Sequence, residues 1–503
     1  MPVGRYCYWY DPQAPAGPEE PERVARARRR LLATLDSAAD ADPTDDLVAG
    51  QRVRYWLEAA ATDTALAAAR ACAGTPWWCA ALRGWVLHES GDAAAAGAVF
   101  DSALAAMPEP ERCAWSDVSL LLENEVRDRY ERLECGARAD LEHRFWWLAT
   151  PFFSRGGNDR RNEHFARRTL AHLARQSPTA YESRWGDDME ELLLRYGWAE
   201  RWSRRESAPG VQQHSVSVIG HESAPTHRWT SDARLLDAPY AATSTDWEPD
   251  APDARERFAT PSARLLSDLD AASSVFLRGD SMLVVTTFAW PSVERLSSAS
   301  SSVVLAREDV APTVTPALED STGGVALTIV PGEPHLVSIE LLADSGLAAR
   351  ARYALSPPAR AAGVVALSDL LPFRPEGDAD VTFEDAARLA LRGSRVVAPA
   401  RLGVYWELHG LGAGRHPLEM SLSMVAEREG WLTRAWRRLS GRSRAAPPDL
   451  RWADLPLVTG DRVGRSVMIE LPALEPGRYE LQLCARGSGA ARACAVRALT
   501  IVR

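Results

Sequence analysis

The chain has 503 residues and a formal net charge of -10, from 58 basic and 68 acidic residues. Every basic residue is an arginine, because the sequence contains no lysine. A chain without lysine cannot form a P-loop phosphate site, a Schiff base with pyridoxal phosphate, or the lysine contact of a kinase. The composition is rich in alanine and contains only three asparagines, which indicates a GC-rich coding sequence. No cofactor is expected.

Length and charge also restrict the domain number and the partner classes. A chain of this length predicts about three to four domains. The acidic balance and the lack of a broad basic face argue against a nucleic-acid partner. No stretch approaches the ~18 consecutive apolar residues of a membrane span, so no transmembrane segment is expected. The N-terminal sequence lacks a secretion-signal pattern, so either the protein is cytoplasmic or its true start lies upstream.

Residues 1–40 form the first predicted segment. Residues 1–20 are rich in proline and predict an irregular stretch with an aromatic cluster around Tyr8. A helix is predicted from about Pro21, since proline is tolerated in a first helical turn.

Residues 41–140 predict helical repeats. The sequence GWVLHESGDAAAAGAVFDSALAAMP resembles a tetratricopeptide repeat, with its small, large and turn residues at Gly84, Gly91, Ala96, Phe100, Ala103 and Pro108. A weaker copy precedes it, with matches at Gly50, Leu66 and Ala69 and departures at Leu57 and Thr62. The resemblance implies a groove for a peptide or a partner helix; the alternative is that the repeats only pack on their neighbours.

Residues 141–235 contain the most specific segment, 144–202, which holds two of the three asparagines and five of the 18 tryptophans. Asn158 is predicted to cap a helix that runs to about Gln176 and carries a Glu163–Arg167 pair. A second helix is predicted from Asp187–Asp188 to Gly197. Four arginines of the first helix are expected to pair with the acidic first turn of the second, namely Arg160, Arg161, Arg167 and Arg168.

Three chemical interpretations of this segment compete. A metal site would use His164, His172, Glu163 and either Asp187 or Asp188. The histidines are eight residues apart and no HExxH motif is present, so no metal is expected. A hydrolase would use the carboxylates of Glu163, Asp187 and Asp188, assisted by His164. The favoured interpretation is a polar and aromatic clasp that fixes two helices against the β domain.

The motifs FWWLATP, NDRRNEHFARR, and RYGWAERWSR with VIGHESAPTHRW resemble the GWxTD-domain proteins of bacteria, over about residues 144–232. Two placements of the signature are open: Gly197-Trp198 starts one, and Trp185-Gly186-Asp187-Asp188 is a rearranged second. The family has no established activity, and the resemblance implies export and a following β-sandwich. The predicted binding residues are Asn158, Asn162, Glu163, His164, Arg167, Gly197 and Trp198.

The C-terminal half predicts short strands. Residues 236–262 are interpreted as a linker, 263–370 as a β-sandwich-like domain, 371–394 as a connector with a short helix (383–391), and 395–503 as a second such domain. The phrase LPALEPGRYELQLCARG resembles late strands of immunoglobulin or fibronectin-like sandwiches. An arginine-rich insertion at 428–450 is either a solvated loop or a site for an acidic partner.

Cys484 and Cys494 lie symmetrically about a predicted turn, so they would face each other across a hairpin. They form either a disulfide, which implies an oxidising compartment, or two buried thiols.

Together these patterns predict a multidomain α+β protein. The expected function is that of a non-enzymatic bacterial scaffold or binding protein, located extracytoplasmically (periplasmic or secreted), with a protein or peptide partner. The alternatives are a hydrolase acting on a polymer and a cytoplasmic assembly factor.

Overall fold

The computed structural model describes residues 2–3, 6–9, 20–176, 185–198, 201–206, 216–221, 229–247, 256–260, 262–263, 265–291, 299–358, 365–377, 381–427, 447–487 and 492–502. For residues 2–3, 6–9, 201–206 and 216–221 it describes the backbone only.

The chain divides into two compact units, which we describe separately. The first consists of Met1–Pro239, Ser244–Leu266 and Asp344–Ala348, and the second of Tyr240–Thr243, Ser267–Ala343 and Ala349–Arg503. Helices occupy the N-terminal half and β-sheets the C-terminal half, as expected for a multidomain α+β protein.

The helices of the first unit follow one another with short connections. They are α1 (Glu22–Ala41), α2 (Asp46–Glu58), α3 (Thr62–Arg70), α4 (Pro76–Glu89), α5 (Ala93–Ala106), α6 (Glu109–Ser116), α7 (Asn124–Glu131), α8 (Cys135–Leu148), α9 (Asp159–Arg175) and α10 (Asp187–Tyr196).

The first unit also contains a small sheet. Its strands are β1 (Pro2–Val3), β2 (Tyr6–Trp9), β3 (Arg201–Glu206) and β4 (Val216–His221), in the order β1-β2-β4-β3. The prediction that residues 1–20 are irregular is therefore wrong for β2, which pairs in parallel with β4. Its partner lies far along the chain, where local sequence patterns cannot indicate pairing.

The helices α2 to α5 form two antiparallel pairs that share one core. Gly84 of α4 allows close contact with α5, because a Cβ atom at Gly84 would lie 2.8 Å from the Phe100 ring. Gly91 turns the chain between the two helices with a φ of +80°, a value that glycine adopts readily. Ala96 and Ala103 are buried against the same core. Helix α9 packs on α4 and α5, so this part of the array is covered from within the unit.

The second unit contains one described helix, α11 (Phe383–Arg388). Its strands are named from β5, which begins in the first unit: β5 (Leu265–Asp268), β6 (Ala271–Arg278), β7 (Ser281–Ala289), β8 (Ser300–Arg307), β9 (Val310–Pro316), β10 (Leu318–Asp320), β11 (Gly323–Pro331), β12 (His335–Leu342), β13 (Leu347–Leu355), β14 (Ala366–Leu367), β15 (Leu371–Phe373), β16 (Arg395–Val397), β17 (Ala400–His409), β18 (Gly414–Arg415), β19 (Leu418–Ala426), β20 (Asp449–Asp454), β21 (Leu457–Val458), β22 (Arg462–Leu471), β23 (Gly477–Gly487) and β24 (Ala493–Val502).

These strands form several sheets. Two have the orders β10-β11-β7-β6 and β5-β13-β12-β8-β9, and two more have the orders β14-β17-β15, with β22 also pairing β17, and β16-β24-β23-β19-β20. A short pair, β18-β21, is separate. The edge strands β9 and β20 consist largely of exposed residues.

Two predicted boundaries are corrected. Residues 371–394 are no connector, because β15 pairs with β17 and the α11 residues Ala386 and Ala387 are buried. The first predicted β domain, 263–370, is not a closed unit. Its strand β14 pairs with β17, which lies in the second predicted domain.

Residues 236–262 are not a linker where the structure describes them. Trp247 is buried and its indole N–H donates to the Leu148 carbonyl at the end of α8. Glu256 and Phe258 are buried as well. The polar composition concealed these anchors, which belong to the core of the first unit.

Three disulfides are present: Cys72–Cys79, Cys113–Cys135 and Cys484–Cys494. The third joins directly opposed residues of β23 and β24. Among the described residues, no helix combines the length and the apolar character that crossing a bilayer requires. The arginine-rich insertion lies largely outside the described residues, which resume at position 447.

Gly84→Ala should destabilise the protein by about 1–3 kcal/mol, because the added methyl group meets the buried Phe100 ring. Urea unfolding measures this free energy. The matched control is Gly136→Ala on α8, where a Cβ atom meets nothing within 4 Å and alanine should be neutral or stabilising. Equal effects of the two substitutions would contradict the close α4–α5 contact.

Candidate functional site

The predicted binding residues gather mainly on α9, and the cap of this helix is built by Asn158. The side-chain oxygen Oδ1 of Asn158 accepts from the Arg161 N–H at 3.0 Å, as expected of an N-cap. Its amide group donates to the Trp146 carbonyl at 2.6 Å and to the Thr150 hydroxyl at 3.0 Å. Asn158 therefore joins the end of α8 to the start of α9.

The second rare asparagine has a similar role. Asn162 is buried and donates from its amide to the Ala93 carbonyl at the start of α5, at 2.8 Å. The preceding loop also approaches α5, because a Cβ atom at Gly157 would lie 2.5 Å from the Ala93 backbone. Both asparagines thus satisfy backbone groups of neighbouring helices.

Arg167 makes contacts in three directions. Its Nε donates to Glu163 one turn earlier, while its terminal nitrogens donate to the carbonyls of Leu194 at 3.0 Å and Arg257 at 2.8 Å. Gly197 ends α10 with a φ of +81°, and a Cβ atom there would lie 3.0 Å from the guanidinium. One side chain therefore links α9, the end of α10 and the 256–260 segment.

Arg160 is fully buried and forms an ion pair with the buried Glu256. The rings of Trp146 and Phe258 lie 5.6 and 5.7 Å from its guanidinium carbon, within cation–π range. The Thr230 N–H donates to the other Glu256 oxygen at 3.1 Å. Burial lowers the pKa of Arg160, and the Glu256 charge opposes that shift.

The predicted pairing of four arginines with the first turn of α10 is corrected. Only Arg168 pairs there, with Glu190 at 3.1 Å. Glu190 also accepts from Arg175, at 2.8 Å from its Nε. The remaining three arginines pair with Glu256, Asp101 and Glu163. Asp187 and Asp188 are exposed, so the acidic first turn is split between solvent and one buried carboxylate.

Glu163 lies between two cationic groups. Besides Arg167, it accepts a 2.7 Å hydrogen bond from Nε2 of the buried His88 of α4. Burial alone would raise the pKa of Glu163, but the Arg167 charge and the His88 hydrogen bond hold it below its usual range. Burial alone would lower the pKa of His88, but the bond to Glu163 and its charge raise it. Each partner therefore favours the charged form of the other.

His164 contacts core residues and does not contact Glu163. Its Nε2 donates to the Trp115 carbonyl at 3.1 Å, and its ring packs 5.0 Å from the Trp146 ring. Burial, followed by the Arg168 charge, holds the pKa of His164 well below its usual value. It is therefore a neutral, buried imidazole.

Two tryptophans that flank α10 contact each other. Trp185 precedes α10 and Trp198 follows it, and their rings stack at 6.3 Å with an interplanar angle of 21°. Trp198 is 40% exposed, and the Arg54 guanidinium carbon lies 5.5 Å from its ring. Trp198 is thus apart from the buried contacts of Gly197.

This arrangement is poorly suited to acid–base chemistry. Glu163 is ionised and bound by His88 and Arg167, His164 is neutral and bound to a carbonyl, and the exposed Asp187 and Asp188 lie outside these contacts. Among the described residues, no group of three or more metal-ligating side chains comes together. The geometry supports a structural clasp.

The sequence interpretation overlooked two partners, His88 and Glu256. His88 lies within the repeat, where only spacing was considered, and Glu256 lies in the segment interpreted as a linker. Glu256 lies between two arginines in the RERF stretch that ends at Phe258, and no local sequence signal distinguished it.

Comparison with protein-family models finds no matching family, and comparison with curated proteins finds no match. Some solved structures share a remote likeness. A Bacteroides uniformis β-glucuronidase 2, bound to cyclophellitol-6-carboxylate aziridine, is 7% identical over 44% of this chain and 26% of its own, with a TM-score of 0.18.

Two further structures are 12% identical over 47% of this chain. They are a putative membrane-anchored protein of Corynebacterium diphtheriae, covered over 58% with a TM-score of 0.18, and a 1.5-MDa bacterial ice-binding adhesin, covered over 66% with a TM-score of 0.16. This chain covers less than two thirds of each of the three proteins. At such TM-scores the likenesses carry no argument.

Arg160→Met should destabilise the first unit by about 3–5 kcal/mol, because it leaves Glu256 as an unpaired buried carboxylate. The double variant Arg160→Met with Glu256→Gln should recover part of this loss. Arg161→Met is the control on the same helix turn, where the exposed pair with Asp101 should contribute under about 1 kcal/mol. Denaturant unfolding compares the variants, and equal losses at both arginines would contradict the buried pair.

The His88–Glu163 pair should give stability a pH dependence. The pKa of His88 is raised in the folded state. The stabilisation that this brings is fully present below the ordinary pKa of 6.5 and is lost as the pH rises through the folded-state pKa. The pKa of Glu163 is lowered in the folded state. The stabilisation that this brings is present above the ordinary pKa of 4.5 and is lost as the pH falls towards the folded-state pKa. The advantage of wild type over His88→Gln should therefore be larger at pH 5.5 than at pH 8.5.

Urea unfolding at the two pH values measures this difference. His143→Gln, at an exposed position of α8, is the control and should show no such change. A His88→Gln penalty that is the same at both pH values would contradict the charged pair.

Proposed function

We propose that this protein is a non-enzymatic, extracytoplasmic bacterial scaffold or binding protein. The main observation in support is that charged side chains of the α9 region are paired with other groups inside the fold. Glu163, Glu190 and Glu256 each have an arginine partner, and His88 is engaged by Glu163. A general acid or base must exchange a proton with the substrate. Side chains that are already bonded to partners inside the fold are poorly placed to do so.

The GWxTD resemblance is part of this proposal. Its middle helix corresponds to α9, whose Asn162, Glu163 and His164 have fixed structural partners. We assign tetratricopeptide-like repeats to the α2–α5 pairs and immunoglobulin-like or fibronectin-like sandwiches to the C-terminal sheets. The family's lack of an established activity agrees with a scaffold.

The proposed partner is a protein or peptide, and the proposed surface is not the repeat face that α9 covers. Trp56 and Trp77 are half-buried in the helical core and Trp85 is buried, so these aromatics are unsuited to hold a peptide. Exposed surface of the repeats and of the sheets remains for contacts with envelope or protein partners.

Three disulfides support the extracytoplasmic location, because such bonds persist in oxidising compartments and are rare in the cytosol. They use six of the seven cysteines, and the remaining one is Cys7.

Thiol labelling of the protein from fractionated native cells tests the proposal. We expect the protein in an extracytoplasmic fraction, with one cysteine labelled before reduction and seven after it. The variant Cys7→Ser should then show no labelling without reduction. Recovery in the cytosol with seven reactive thiols would contradict the location.

A second measurement addresses catalysis. Incubation with peptidoglycan and with neutral polysaccharides should release no soluble fragments from wild type. Release that disappears in the Glu163→Gln variant, while the fold is retained, would instead establish the hydrolase.

A further inference from the structure

Helix α1 packs against α2 and exposes most of its surface. Of its 20 residues, only Leu32 is buried. Among the described elements, its main contact is with α2. A helix that packs on one neighbour leaves a long face without a partner from within the fold.

The first half of this helix is strongly basic, with five arginines between positions 23 and 30. Two of them are paired: Arg28 donates to Glu20 at 3.0 Å, and Arg29 donates to Glu22 at 2.7 Å. The other three are exposed and form no ion pair with any described residue, namely Arg23, Arg26 and Arg30.

These three arginines lie on one side of the helix. They are spaced by three and then four residues, which places them in one row because an α-helix turns once every 3.6 residues. The row from Arg23 to Arg30 is about 10 Å long at 1.5 Å per residue. It presents three guanidiniums, and each can donate two hydrogen bonds to one phosphate group.

An apolar row runs beside the arginine row. Val24 is 42% exposed, Leu31 is 37% exposed, and Ala27 is exposed between them. These residues have the same spacing as the arginines, one position further along the helix, so the two rows are parallel. Apolar side chains beside arginines on an exposed helix face are typical of helices that lie in the headgroup region of a bilayer.

The combination of the two rows favours a bilayer over other anionic partners. A nucleic acid offers phosphates but no apolar layer for Val24 and Leu31. A groove on an acidic protein holds a helix through large anchor residues, often aromatic, and the exposed face of α1 has no aromatic residue. A bilayer surface places phosphates and hydrocarbon next to each other.

We propose that this face of α1 binds the surface of a bilayer that contains anionic phospholipids. The three arginines contact headgroup phosphates, and Val24 and Leu31 enter the boundary between headgroups and acyl chains. Because the charges are exposed, the binding is reversible and sensitive to salt. The proposal deepens the proposed function by naming an envelope partner, and it rests on that function only for the compartment in which the membrane is met.

Co-sedimentation of the full chain with lipid vesicles tests the proposal. The vesicles contain either phosphatidylcholine alone or phosphatidylcholine with an equal amount of phosphatidylglycerol. We expect binding to the anionic vesicles at low salt, loss of that binding at high salt, and no binding to the neutral vesicles.

Two variants separate the contributions of the rows. The triple variant Arg23→Gln, Arg26→Gln, Arg30→Gln should weaken binding about a hundredfold, since each arginine near an anionic bilayer contributes about fivefold. The double variant Val24→Ser, Leu31→Ser should weaken it as well, because it removes the apolar contact with the acyl boundary. All five side chains are exposed, so the variants should keep the wild-type fold.

The matched control removes the same number of positive charges from other exposed positions of the first unit. It is the triple variant Arg70→Gln, Arg112→Gln, Arg155→Gln, and its binding should equal that of wild type. Equal losses for the two triple variants would overturn the proposal, because net charge alone would then explain the binding. Equal binding to neutral and anionic vesicles, or binding to neither, would overturn it too.

Two further probes distinguish the sources of negative charge. Binding to poly-glutamate without binding to vesicles would assign the row to an acidic protein and overturn the proposal. Release from vesicles by millimolar glycerol phosphate would assign it to a free phosphate compound, with the same consequence. None of these outcomes changes the thiol labelling that tests the proposed location.

Discussion

The desolvated pairing of arginine with carboxylate is the interaction on which the first unit depends. A buried guanidinium is costly unless a carboxylate or carbonyl receives its hydrogen bonds. Arg160, Arg167 and Arg168 leave the same helix in different directions and reach partners in separate parts of the chain. Their partners include Glu256, the Leu194 carbonyl and Glu190. Because each pair fixes a different neighbour, α9 organises the helices around it.

The absence of lysine gains physical meaning in this setting. A guanidinium is planar and carries five N–H donors, so one arginine can contact a carboxylate and a carbonyl together. Arg167 does so with Glu163, Leu194 and Arg257. An ammonium group would supply charge without this fixed geometry. Arginine is the basic residue that this composition supplies, and the fold uses its geometry.

The same device has a different result in the second unit. Arg278 and Glu407 are also paired through two hydrogen bonds, but they lie beside a pocket rather than inside a packed helical core. Around α9 the pairing removes reactive groups from solvent. Beside the pocket it fixes two charged side chains of the wall.

Local sequence patterns determined much of the secondary structure. Asn158 as a cap, Glu163–Arg167 one turn apart, Gly197 as a helix end, and Cys484 opposite Cys494 each depend on residues close in sequence. Such features follow from helical or hairpin periodicity, which local spacing expresses directly.

Tertiary structure alone decided which distant residues meet. The pairing of β2 with β4, of β14 with β17, and of Arg160 with Glu256 joins positions whose local sequences carry no sign of each other. The arginines of α9 could have paired with any exposed carboxylate. The burial of Glu256 and Glu190 determined the partners of Arg160 and Arg168, and burial is a property of the packed chain.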